Sequence, residues 1–192
     1  MSWSAGGPSN GNDTFTGGVN GDSPAGALNG NDSLVGNGGA DSLRGQGDND
    51  TLRGGDGNDT LLGGNGSDWV FGDANNDWLY GDGDGGSPNT SPDTLLGGDG
   101  NDTIVGAAGS DSILGEVGSD SITGGDGNDT IQGGADNDTI LGEAGTDSLN
   151  GGDANDSILG GDDNDTIPGG IGADTLYRAG GNDSLVGRAH HD

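Results

Sequence analysis

Gly54-Gly55-Asp56-Gly57-Asn58-Asp59-Thr60-Leu61-Leu62 returns almost unchanged at Gly97 to Val105 and at Gly124 to Gln132. The first six positions of this unit are turn chemistry, because Gly reaches positive φ freely and Asn and Asp tolerate it. The last three read outward, inward, outward, with an aliphatic residue in the middle, which predicts a three-residue strand of period two. A turn and a strand make half a coil. Two repeats, about 18 residues, then complete one coil, with strands on opposite faces.

The sixth-position aspartate carries the register along the chain. Asp32, Asp41, Asp50, Asp59, Asp68 and Asp77 keep one nine-residue step, and Asp93, Asp102, Asp111, Asp120, Asp129, Asp138, Asp147, Asp156, Asp165, Asp174 and Asp183 keep it again. Asp13, followed by Thr14-Phe15, is one more copy of the motif. A strict period of this length is the mark of a solenoid, in which each unit is stabilised only by its neighbours. The expected fold is all-β: a parallel β-roll of two short-stranded sheets around a narrow aliphatic core. About nine coils stacked at about 4.8 Å give a rod roughly 40–45 Å long.

The pattern Gly-Gly-x-Gly-x-Asp-x-aliphatic-x resembles the RTX (hemolysin-type) calcium-binding nonapeptide. The resemblance implies a parallel β-roll with Ca²⁺ between vertically adjacent turns, held by backbone carbonyls and by sixth-position carboxylates. Carried over by position, the ligands are the aspartates named above, for example Asp59 and Asp77 on one edge and Asp111 and Asp129 on the other. The residues point the same way without the family, since Ca²⁺ takes six to eight hard oxygens and a Gly-rich turn can aim several carbonyls at one. Counting the gaps between turns predicts roughly 16 ions.

The formal charge of −29 and a hydrophobic content of 26% would by themselves suggest disorder. The acids argue otherwise. All but Glu116 and Glu143 are Asp, and they keep register, as a merely solubilising charge need not. One inward aliphatic residue per repeat gives little apolar burial against the cost of ordering the chain, so folding linked to cation binding is expected.

Other chemistry is excluded or weak. The chain has no Cys, so neither disulfides nor a thiolate zinc site arise. Four basic residues against 33 acidic ones repel nucleic acid and anionic membranes. No apolar run approaches the length of a transmembrane helix. No His-Glu-x-x-His occurs and the two His lie outside any repeat, so no catalytic role is expected. Asp82-x-Asp84, with Asp93 beyond it, is a faint EF-hand-like spacing without room for flanking helices. His190-His191 lies outside the repeats and is read as terminal sequence rather than a metal site.

Residues 1–192 read as a single array. Its irregularities are a degenerate copy at 17–25, where Pro24 takes the inward position two residues after Asp22, an insertion at about 81–92 and a short tail at 187–192. The insertion is expected to bulge from a turn without changing which sheet later strands join. Where position four is not Gly (Asp48, Asn75, Asp136, Ala154, Asp163), strain in the turn is expected, and the acids there are either ligands or solvated. Extra acids at position three (Asp56, Asp99, Asp126, Asp153, Asp162) read as solvated surface. One sheet should carry Leu62, Tyr80, Val105, Leu141, Leu159 and Tyr177 outward, and Trp69, Phe71, Trp78 and Tyr80 read as one aromatic cluster.

The leading functional expectation is a secreted bacterial calcium-binding structural protein, kept unfolded in low-calcium cytoplasm and folded by calcium outside. A homo-oligomer or filament through the solenoid ends or an apolar strand face is a related expectation. The alternatives are an accessory repeat region of a larger secreted enzyme, toxin or adhesin, or an ice-binding roll displaying Thr103, Ser121, Thr139, Ser157 and Thr175. Met1 to Pro8 lacks the character of a cleavable signal. Proteins resembling this one leave by type I secretion on an uncleaved C-terminal signal, which Gly187 to Asp192 does not supply.

Overall fold

The computed structural model describes residues 2–3, 10–18, 20–21, 29–83 and 89–187. Asp22 and Pro24 of the degenerate copy, part of the insertion, and His190-His191 lie outside the described residues. Among the described residues there is no helix. The chain is a parallel β-solenoid of about nine turns with two sheets and ~18 residues per coil.

One sheet stacks Thr14–Thr16, Ser33–Gly38, Thr51–Asp56, Trp69–Ala74, Thr94–Asp99, Ser112–Val117, Thr130–Ala135, Ser148–Asp153, Thr166–Ile171 and Ser184–Gly187 in parallel. Ser2–Trp3 joins this sheet antiparallel, on Thr14–Thr16. The other sheet stacks Ser42–Gly47, Thr60–Asn65, Trp78–Tyr80, Thr103–Ala108, Ser121–Asp126, Thr139–Ala144, Ser157–Asp162 and Thr175–Tyr177. Like positions pair with like, as in Leu52 with Val70 and Ile122 with Ile140. Strands on either side of the insertion keep this parity, because Trp69 pairs with Thr94 and Trp78 with Thr103.

The eighth position is the core. Phe15, Leu34, Leu43, Leu52, Leu61, Val70, Leu79 and Leu95 are buried, as are the eighth-position residues from Ile104 to Ile167, all Ile but Leu149, while Leu176 and Leu185 pack against them partly buried. These side chains form one cluster, so the core is continuous although each repeat supplies one residue.

Most strands are longer than the sequence predicts. They run through positions seven to nine and on into positions one to three, as in Thr51–Asp56. The ladder continues because Gly55 and Asp56 pair with Asp73 and Ala74 one coil on, even though position two has positive φ. A glycine has no side chain with which to announce a strand. That bend recurs without glycine, at Asn37, Gln46, Asp73, Ala107, Glu116 and Glu143, with φ between 75° and 84°.

Position four behaves as expected: Asp48, Asn75, Asp136, Ala154 and Asp163 all have positive φ, with Ala154 at 81°. An alanine there pays the steric cost of the left-handed region, with no polar side chain to offset it. Ala154→Gly is therefore expected to stabilise the roll by about 1 kcal/mol, read as a higher thermal midpoint in saturating calcium.

Candidate metal centre

The turns bring the register aspartates into two columns, one along each edge of the roll. Asp13, Asp32, Asp50, Asp68, Asp93, Asp111, Asp129, Asp147, Asp165 and Asp183 form one, each backbone N–H donating to Oδ1 of the next aspartate at 2.6–3.1 Å. Asp41, Asp59, Asp77, Asp102, Asp120, Asp138, Asp156 and Asp174 form the other in the same way, at 2.7–3.1 Å. The 19-residue step from Asp13 to Asp32 and the insertion before Asp93 leave both columns unbroken. Every aspartate singled out by the nine-residue step lies in one of them.

These carboxylates are buried, most of them to 1–3% exposure, whereas Asp174 and Asp183 at the C-terminal end are half-buried. Oδ1 is used by the ladder. Oδ2 is also buried, and it accepts no hydrogen bond in Asp50, Asp68, Asp93, Asp111, Asp129 and Asp147 on one edge, or in Asp59, Asp77, Asp102, Asp120, Asp138 and Asp156 on the other. It faces the first-position glycine of its own turn and the first-position carbonyl of the next. A Cβ on Gly106 would lie 2.5 Å from Asp111 Oδ2 and 2.7 Å from the Gly124 carbonyl oxygen. Glycine at position one is thus what lets a carboxylate oxygen and a carbonyl oxygen converge in the gap between coils.

Charge is expensive in these columns. Burial pushes Asp50 and Asp93 up to about 8, and neighbouring aspartates add to the rise. Asp77 and Asp120 rise to about 7, and Asp68, Asp111, Asp129, Asp138 and Asp147 to about 6, again chiefly by burial. The backbone N–H bond to each carboxylate pulls the other way without cancelling the effect. A buried carboxylate oxygen without a donor needs a cation or a proton.

The donor set fits a hard divalent cation. It consists of carboxylate and carbonyl oxygens, and among the described residues no three carboxylates or imidazoles converge on one point. A cation between turns would therefore draw on few carboxylates and several main-chain oxygens, which suits Ca²⁺ more than a nitrogen- or sulfur-seeking metal.

The remaining acids are elsewhere. Asp56, Asp99, Asp126, Asp153 and Asp162 at position three are exposed, as are Asp48, Asp136 and Asp163 at position four. Asp48 Oδ2 accepts from the Gly30 N–H at 2.9 Å, so this acid supports a turn from outside the columns. The reading of Trp69, Phe71, Trp78 and Tyr80 as one cluster needs correction. Trp69 pairs with Phe71 on one sheet, at 6.0 Å between ring centroids, and Trp78 with Tyr80 on the other, at 6.1 Å. Consecutive repeats face opposite ways, so aromatic residues one repeat apart cannot share a face.

A second ladder escapes notice in the sequence. The fifth-position side-chain oxygen accepts the backbone N–H of the fifth position one coil on, as in Asn49 from Ser67 at 3.0 Å, Asn101 from Ser119 at 2.9 Å and Asn155 from Ala173 at 2.7 Å. The recurrence of Asn before the register Asp is the signal that would have found it. This ladder runs opposite to the aspartate ladder and satisfies turn N–H groups, leaving turn carbonyls to other partners.

No curated protein matches the sequence significantly. The family model for the RTX calcium-binding nonapeptide repeat matches residues 27–61, 53–86, 89–122, 114–149, 123–158 and 150–185, well over half of the chain. With its coils, its glycine turns and its paired columns of buried aspartates, the chain belongs to the RTX calcium-binding nonapeptide repeat family.

Proposed function

We propose that the register aspartates are the calcium ligands of this roll and that the chain works as an extracellular structural rod that calcium folds. The observation that carries this reading is the row of buried Oδ2 atoms without donors on both edges. A site that exists only in the folded stack makes binding free energy into folding free energy. Repeat proteins of this family are typically secreted by bacteria. Low calcium inside and high calcium outside then separate an unfolded, exportable chain from a folded one. Far-UV circular dichroism during a calcium titration tests this: a cooperative gain of β signal is expected, and a chain equally ordered in excess chelator sinks the reading.

A second reading, lateral self-association, has one specific support. Leu62, Tyr80, Val105, Leu141 and Leu159 lie half-buried along the outer face of the eight-stranded sheet, with Tyr177 exposed beyond them. An apolar row of this kind is ordinary strand chemistry as well as a docking face. Sedimentation in calcium separates the two, since a monomer at all concentrations removes the assembly.

A further inference from the structure

The insertion turns one position-two carboxylate toward the next coil, which the acids at this position in regular turns do not do. Gly81 takes the first position of its turn, because a Cβ there would lie 2.5 Å from Asp93 Oδ2 and 2.6 Å from the Gly106 carbonyl oxygen, as in the regular repeats. Asp82 therefore stands at position two. The other acids at this position are occupied or solvated: Asp73 is held by Arg53 through two bonds of 2.5 and 2.7 Å, while Glu116 and Glu143 are exposed.

Asp82 turns instead toward the next coil. Its Oδ2 accepts from the Ala108 N–H at 3.1 Å, and its Oδ1 is buried with no donor within hydrogen-bond geometry, although the Asn89 amide stands near enough to favour the charged carboxylate. Asn89, at the far side of the insertion, pins the segment to the preceding turn by donating to the carbonyls of Gly64 and Gly66 at 3.2 and 3.3 Å. Its side-chain Oδ1 accepts from the Ser91 N–H at 3.2 Å. The charge of Asp82 is among the causes that raise Asp68, Asp93 and Asp111, which places it beside the column. Asp93 itself is 2% exposed, and its donorless Oδ2 faces this same gap.

We propose that Asp82 adds a second carboxylate to the calcium position between the insertion turn and the turn of Gly106 to Asp111, making it the tightest in the roll. The proposal rests on the calcium reading above. Elsewhere in the columns a gap presents one donorless register carboxylate oxygen beside carbonyls, and calcium affinity rises with the charge of the ligand set. Loading would then begin in the middle of the rod, where a first folded coil has neighbours to recruit on both sides.

Calorimetric calcium titration of the full chain tests this with Asp82→Asn, Asp82→Glu and Asp73→Asn. Asn keeps an acceptor for the Ala108 N–H and removes the charge. The expected result is a tight class of one ion in the parent, weakened about tenfold in Asp82→Asn, retained in Asp82→Glu and unchanged in Asp73→Asn. An Asp82→Asn isotherm identical to the parent's overturns the proposal, and so does weakening spread evenly over all sites. If Asp82→Asn fails to regain its β signal in saturating calcium, Asp82→Glu decides alone: loss of the tight class there overturns the proposal and its retention supports it. A parent chain that takes up no calcium removes the family-wide reading as well, and is distinguished by its flat isotherm.

Discussion

Calcium-free protein is expected to gain stability as the pH is lowered from about 8.5 to about 5, and calcium-loaded protein to lose it over the same range. The column carboxylates have folded-state values of about 8 in Asp50 and Asp93, about 7 in Asp77 and Asp120, and about 6 in five others, against an ordinary 3.8. The cause is burial first and neighbouring aspartates second. Between those values and the ordinary one, the folded state holds protons that the unfolded chain has released. Stability then falls as pH rises. The penalty is absent below about 4, grows through the interval and is complete above about 8. With calcium bound, the carboxylates are paired in their charged form, so protons compete with the ion and the sign reverses. The two curves should converge at acid pH, read as the β signal of circular dichroism against pH with calcium and with chelator. Relief of the general repulsion of a −29 chain has the same sign, but added salt screens it, whereas buried neighbours are screened much less. A chelated protein whose β signal fails to grow as the pH falls contradicts the burial of these carboxylates.

Much of the roll was legible because its two decisive positions carry side chains whose chemistry admits one placement. An aliphatic residue between two polar ones has to face inward, and Ile104, Ile113 and Ile122 do. A short acid at a fixed step in a turn has to meet its equivalents, and Asp102, Asp120 and Asp138 do. What the sequence hid was carried by the backbone. The strand extension through Gly54 and Gly55 depends on ladder bonds that glycine does not advertise. The positive φ at Gln46 and Glu116 went unnoticed because these residues do not ordinarily mark such a bend. The aromatic residues differ for another reason: Trp69 and Trp78 are near along the chain, but successive repeats face opposite ways. Asp82 shows a third limit. Its place beside the column is fixed by its bond to the Ala108 N–H, in a stretch where the repeat pattern does not extend.

Replacing the glycine that faces a column should damage the roll in a way that depends on calcium, while trimming the core should not. Gly124 has a backbone conformation open to any residue, so the cost of Gly124→Ala is one of space. The new methyl group would collide with Asp129 Oδ2 and stand 2.9 Å from the Gly142 carbonyl oxygen. Overpacking of this kind costs about 1–3 kcal/mol. Displacing the two oxygens also removes a binding position, which at a hundredfold excess of calcium over its dissociation constant forfeits about 2.7 kcal/mol more. That second contribution grows by about 1.4 kcal/mol for each tenfold rise in calcium. Ile131→Ala, at a core side chain 1% exposed, deletes contacts and leaves the oxygens in place. Its cost should be about 2–5 kcal/mol and independent of calcium. Denaturant unfolding at several calcium concentrations separates the two: the Gly124→Ala deficit should widen as calcium rises, and the Ile131→Ala deficit should stay level. Parallel behaviour of the two variants would mean that the first-position glycines shape the turn alone and that calcium is held elsewhere. A deficit that widens only for Gly124→Ala ties the glycine, the aspartate and the ion to one gap between coils.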